Sequence, residues 1–198
     1  MQPWLDMMFH NGWDVVATDY AGLGTRGRQE YLNGVSESRD VVYSVEAARS
    51  YRPAMASANW VAWGHSYGGH AVLWAASEAP RISHELHLLG VVAAAPVANV
   101  VALAGAQGQA WAPSLAAQEP PIETAVPVLL IQGNRDIAAP LANTRIVDAR
   151  WCSKGADVNL IVFSRATHVT VTSVGSATMV HWISRRFNHR VAIGNCKR

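Results

Sequence analysis

Trp60-Val61-Ala62-Trp63-Gly64-His65-Ser66-Tyr67-Gly68-Gly69-His70-Ala71-Val72-Leu73-Trp74-Ala75-Ala76 is the stretch whose reading decides the fold. A short apolar run reads as a buried strand. An alanine-rich run with apolar residues on every side reads as a buried helix. Between them stands a G-x-S-x-G pentad, Gly64 to Gly68, followed by Gly69. Strand, pentad and helix in that order predict a nucleophile elbow, a turn so sharp that the Ser66 hydroxyl stands clear of the sheet. The small residues at 64, 68 and 69 suit a strained turn with close helix–strand approach. The pentad alone would be weak in a chain rich in glycine, alanine and serine; its flanks make it specific.

Working outward, the composition permits such a core. The chain has 198 residues, 50% hydrophobic and 15% charged, with a formal net charge of +2. That size and balance suit one globular domain over residues 1–198. The cations are nearly all arginine and are scattered, which gives no basic patch interleaved with aromatics and no nucleic-acid partner. No apolar run approaches the ~18 residues of a membrane span. The start, Met1-Gln2-Pro3-Trp4-Leu5-Asp6, shows neither a cationic n-region nor an apolar h-region. Two readings follow: a cytosolic protein, or a sequence that starts downstream of its signal. Cys152 and Cys196 are too few for a disulfide framework, and composition leaves open whether they pair. The eight tryptophans read as core and rim packing rather than a cofactor box.

Along the chain, strands are expected at 14–18, 59–63, 88–94, 128–132 and 158–163. Helices are expected at 38–52, after the elbow to about Pro80, at 141–154 with Gly155 as its cap, and at 173–187. Residues 99–124 are rich in alanine, glycine and proline with no clean period, and read as a surface crossing or small cap. Strands alternating with helices imply a mostly parallel α/β sheet covered on both faces.

A serine hydroxyl needs a base, and the base needs an orienting acid. In an open parallel sheet the working groups gather beyond the C-terminal ends of the strands. Of the eight histidines, His168 alone follows a strand by a short loop, Ser164 to Thr167. His65 and His70 lie in the elbow itself, where backbone geometry turns His65 away from the serine hydroxyl. His84, His87, His181 and His189 are assigned to helices or their ends, and His10 precedes the first expected strand. Asp136 follows the strand 128–132 through Gly133-Asn134-Arg135, whereas Asp157 lies at the wrong end of its strand and Asp148 inside a helix. The order Ser66, Asp136, His168 is that of the α/β-hydrolases. A tetrahedral oxyanion needs two donors. The Tyr67 backbone N–H is one, and the turn Asp19-Tyr20-Ala21-Gly22 is the best source of the other. His84-x-x-His87 lacks the third ligand that a zinc site requires, so no metal is expected.

With those residues in place, the chain resembles the secretory lipase family, the lipase-A type of α/β-hydrolase. The resemblance is carried by Gly12 to Gly24 (GWDVVATDYAGLG), Tyr31-Leu32-Asn33-Gly34, Ser36-Glu37-Ser38-Arg39 and Trp63 to Ala71 (WGHSYGGHA). It continues through Ala95-Pro96, Gln132-Gly133-Asn134-Arg135-Asp136 and Cys152 to Val158 (CSKGADV). These stretches span nearly the whole chain in the family's order.

The resemblance implies an extracellular serine carboxylic ester hydrolase acting on acylglycerols and simple esters, without a cofactor and with transient contact with lipid surfaces. It implies Ser66 as nucleophile, Asp136 as acid, His168 as base, Asp19 and Tyr67 at the oxyanion, and a Cys152–Cys196 disulfide. Two departures stand out. Family members carry a large helical lid where this chain has only the short stretch between Ala95 and Val128. They also have further strands before the segment matched here, one of which lies between the strands expected at 14–18 and 59–63. A non-catalytic remnant, and a peptidase or acyltransferase on the same fold, are the alternatives that fold and triad do not separate.

Overall fold

A computed structural model describes residues 3–102, 119–121 and 126–196. The expected cap at 99–124 falls mostly outside them. In chain order the elements are α1 (Pro3–His10), α2 (Gly34–Tyr51), β1 (Asn59–His65), α3 (Tyr67–Ile82), β2 (His87–Ala94) and β3 (Val128–Gly133). They continue with α4 (Leu141–Ser153), β4 (Val158–Phe163), α5 (Thr170–Val174) and α6 (Ser176–Phe187). The four strands form one parallel sheet in the order β1-β2-β3-β4.

The strands read as apolar runs because both faces are covered. Side chains alternate between two cores. Val91, Ala93, Val128, Leu130 and Val158 face a layer of α2, α3 and α4, where they meet Val42, Leu73, Val147 and Trp151. Val92, Ala94, Leu129 and Ile131 face α1, α5 and α6 and pack on Met8, Val171, Met179 and Ile183. Trp60, Trp74, Trp151 and Trp182 are buried, and Trp4, Trp13 and Trp63 are packed at the rim of the second core.

The strand expected at 14–18 does not form. Residues 13–20 carry no regular structure, and Val15 and Val16 are 40% and 44% exposed. A β-branched run becomes a strand only with a neighbour to complete its ladder, and no described strand lies beside it. α1 has no counterpart in the sequence reading. It buries Met8 in the second core and sets Trp4 against Trp63, ring centroids 4.0 Å apart. α2 begins a turn earlier than expected, where the Asn33 side chain accepts from the Ser36 N–H. α3 runs two residues past Pro80. The helix expected at 173–187 divides at Gly175 into α5 and α6. His87 opens β2 rather than standing at a helix end, and His10 ends α1.

After α6 the chain returns along β4. The Asn195 side chain accepts from the Leu160 N–H at 3.0 Å and donates to the Leu160 carbonyl at 2.8 Å. The Asn195 N–H donates to the Val158 carbonyl. Cys196 is joined to Cys152 at the end of α4. No described helix is long and apolar enough to cross a membrane.

Candidate active site

The C-terminal ends of the four strands point to one side, and the loops beyond β1, β3 and β4 carry Ser66, Asp136 and His168. Ser66 has φ 56° and ψ −114°, a conformation that a non-glycine residue holds only where the surroundings enforce it. The enforcement is visible. Its N–H donates to the Ala94 carbonyl at the end of β2. Its carbonyl accepts from the N–H groups of His70 and Val97. The turn brings Gly64 so close to Gly68 that a Cβ on Gly64 would stand 2.0 Å from the Gly68 oxygen. A Cβ on Gly68 would meet nothing nearer than the Tyr20 hydroxyl at 3.6 Å. Of the three small residues in the pentad region, Gly64 is therefore the one that the turn itself demands, while Gly69 faces Pro96 at 3.0 Å.

Ser66 Oγ lies 2.8 Å from His168 Nε2, and His168 Nδ1 lies 2.8 Å from Asp136 Oδ2. A buried carboxylate accepts, so Nδ1 carries the proton and Nε2 is left to accept the serine O–H. Asp136 is held on all sides. Oδ1 accepts from the Ala138 and Ala139 N–H groups, and Oδ2 accepts from Gln132 Nε2 as well as from His168. Gln132, wholly buried at the end of β3, also donates to the Ala139 carbonyl and accepts from Thr144 on α4. The two loops are stitched together: the Arg135 N–H donates to the Ala166 carbonyl, and the Arg165 N–H to Asn134 Oδ1. A Cβ on Gly133 would stand 2.3 Å from the Ala166 oxygen, so the loops close only over glycine.

His65 has a partner that sequence reasoning missed. Its Nε2 donates to the His168 carbonyl at 2.8 Å, and the two rings lie 4.7 Å apart. Burial holds its pKa below the ordinary value of 6.5, against the backbone bond to His168, which favours the charged form. His70 is buried on α3, where Nδ1 donates to Glu37 Oε2 at 2.7 Å and Nε2 accepts from Trp74 at 3.2 Å. That pairing ties α3 to α2 beneath the elbow.

Tyr67 is the first residue of α3, so its N–H has no partner within the helix. Its side chain stacks on Tyr31 and meets the edge of Tyr20, with centroids 4.8 and 4.9 Å apart, and its hydroxyl is hydrogen-bonded to Glu37. Tyr20 thus brings the Asp19-Tyr20-Ala21-Gly22 turn against the elbow. Burial, then the carboxylates of Glu37 and Asp40, push its phenol up to about 12. Asp19 itself is exposed. His84 and His87 are exposed, remote from this side of the sheet.

A parallel sheet with a serine on a strand–turn–helix elbow, and an acid and a histidine on later strand ends, defines an α/β-hydrolase. Solved structures bear the same fold. Lipase A of Candida antarctica superposes with a TM-score of 0.76 at 15% identity over 98% of this chain and 62% of that one. An esterase of Pyrococcus furiosus gives 0.67 at 19% identity over 95% and 74%. Within that class, the sequence model of the family described as Secretory lipase matches residues 4–117 and 121–195, and the chain belongs to this family. Lipase 4 of Candida albicans is 29% identical over 73 residues, 36% of this chain, and Lipase 1 of the same organism is 28% identical over 76 residues. The aligned stretch is 16% of the length of either relative.

Proposed function

We propose that the protein is a serine carboxylic ester hydrolase that cleaves simple esters and acylglycerols through an acyl-enzyme on Ser66. The observation that carries this reading is the relay from Ser66 Oγ through His168 to Asp136, with both bonds at 2.8 Å. As Oγ attacks the ester carbonyl carbon, its proton passes to His168 Nε2, and Asp136 stabilises the imidazolium that forms. The carbonyl oxygen gains the negative charge and is received by the Tyr67 N–H and the Asp19 turn. The carbon–oxygen bond to the alcohol breaks, and His168 returns the proton to the leaving alkoxide. Water then gives a proton to His168 and attacks the acyl carbon, and as that second intermediate collapses the carbon–Oγ bond breaks, His168 returns the proton to Ser66 Oγ, and the acid is released.

Membership of a secretory family supports an extracellular setting with contact with lipid surfaces, and the Cys152–Cys196 bond fits an oxidising compartment. The short stretch between Ala95 and Val128 supports an open site that favours short- and medium-chain esters.

Labelling with a serine-directed fluorophosphonate tests the nucleophile. One label per chain is expected on the wild type and none on Ser66→Ala; a folded wild-type sample that takes no label rejects the reading. Soluble butyrate esters are expected to turn over faster than long-chain emulsions, and the reverse ranking would remove the open-site argument. A peptide substrate run alongside reads out the peptidase alternative.

A further inference from the structure

The turn expected to supply the second oxyanion donor has little to hold it. From Asp19 to Tyr31 nearly every residue is exposed, and the segment contains no helix or strand. A donor is worth its full effect only if it is fixed before charge develops, because a mobile N–H must be ordered during the reaction. Two features of this turn fix it internally: the Leu23 N–H donates to the Tyr20 carbonyl, and the Gly22 N–H to Thr25 Oγ1. Neither ties it to the rest of the molecule. Tyr20 packs on Tyr67, a contact made by the side chain and not by the backbone of the turn.

One polar bond does reach across. Asp40 Oδ2, on the second turn of α2, accepts from the Ala21 backbone N–H at 2.9 Å over a separation of 19 residues. α2 is anchored in turn: Glu37, three residues earlier on the same helix, binds His70 of α3 and the Tyr67 hydroxyl. The helix thus holds the elbow with one carboxylate and the turn with another.

We propose that Asp40 is a positioning residue of the oxyanion pocket, fixing the Asp19–Gly22 backbone against the elbow by accepting the Ala21 N–H. This rests on the ester hydrolase reading above. It predicts a defect in the transition state rather than in substrate binding, since the bond touches the turn and not the acyl chain.

The test measures hydrolysis of a soluble butyrate ester by the wild type, Asp40→Ala, Asp40→Leu and Asp40→Asn, with each rate divided by the number of sites that fluorophosphonate labels at completion. Removing the acceptor with alanine or leucine is expected to lower kcat per labelled site by roughly 10–100-fold, below the ~10²–10³ of a donor lost outright. KM should stay within about twofold. Inhibition by an alkylboronic acid, whose serine adduct is tetrahedral, should weaken by the same factor as kcat/KM. Asp40→Asn keeps a side-chain oxygen acceptor and should restore kcat to within about threefold of wild type. A merely structural role would lower the melting point and the labelled fraction and leave kcat per site unchanged, and that result overturns the proposal. An Asp40→Asn as slow as Asp40→Ala also overturns it. Two acceptor-free variants are included so that one folding failure does not decide the matter. A wild type that neither labels nor turns over rejects the hydrolase reading itself, an outcome distinct from a fully active Asp40→Ala.

Discussion

A methyl group on Gly64 would stand 2.0 Å from the Gly68 oxygen and 2.3 Å from its carbonyl carbon, both backbone atoms that cannot rotate away. The same group on Gly68 would make an ordinary contact with the Tyr20 hydroxyl. Gly64→Ala is therefore expected to cost about 3 kcal/mol or more, or to prevent folding, by forcing the backbone apart. Gly68→Ala is expected to fold with a loss within about 1 kcal/mol, the modest penalty or gain of a glycine–alanine exchange in a helix. Urea unfolding of both variants decides the point, and equal losses would remove the distinction. The pentad was legible as a unit in the sequence, but this asymmetry was not. Spacing shows that small residues are present; only coordinates show which one faces another backbone. The same holds for Gln132. It closes the strand expected at 128–132, and a glutamine inside a fully buried apolar run is a signal that a buried acceptor or donor waits for it.

The placement of Ser66, Asp136 and His168 beyond strand ends was readable because each closely follows an apolar strand, so the run that marks the strand also places the residue. The stretch at 14–18 failed for the complementary reason. Its valines have the composition of a strand, but pairing belongs to two segments, and the second is not among the described strands. The Glu37–His70 contact escaped because it joins two helices across a face that no local pattern marks. His65 belongs to the same class, being the last residue of β1 and reaching the loop before α5. Its lowered pKa has a consequence for the link between these elements. The unfolded chain binds a proton at this position near 6.5, and the folded chain only at lower pH. Stability from this group is therefore complete above 6.5 and declines as the pH falls through the folded value. Nε2 keeps its proton in both forms, so the loss reflects charging a half-buried ring rather than breaking the bond to His168. Between pH 7 and pH 5 the wild-type melting point should fall, and His65→Gln should fall less. Parallel slopes in the two proteins would show that His65 is not the titrating group.

Across the whole molecule, the Cys152–Cys196 bond closes a loop over a separation of 44 residues. In the chain-entropy account a loop of that length stabilises the fold by about 4 kcal/mol. For a domain of this size each kcal/mol moves the melting point by roughly 2–4 °C. Cys196→Ser should thus melt roughly 8–16 °C lower, and calorimetry in the absence of reductant measures it; an unchanged midpoint would mean that the bond constrains little. The resemblance supplied this pairing where the residues alone left it open, because two cysteines far apart in sequence carry no periodic signal. The same bond has a second effect through Asn195, one residue before Cys196. The amide of Asn195 occupies the hydrogen-bonding groups of Leu160 on the outer side of β4, as a neighbouring strand would. An uncovered edge of that kind is a template on which another molecule can add its own strand. Asn195 therefore covers part of that edge, and the adjoining Cys152–Cys196 bond that secures it keeps the Leu160 backbone groups out of reach of an added strand.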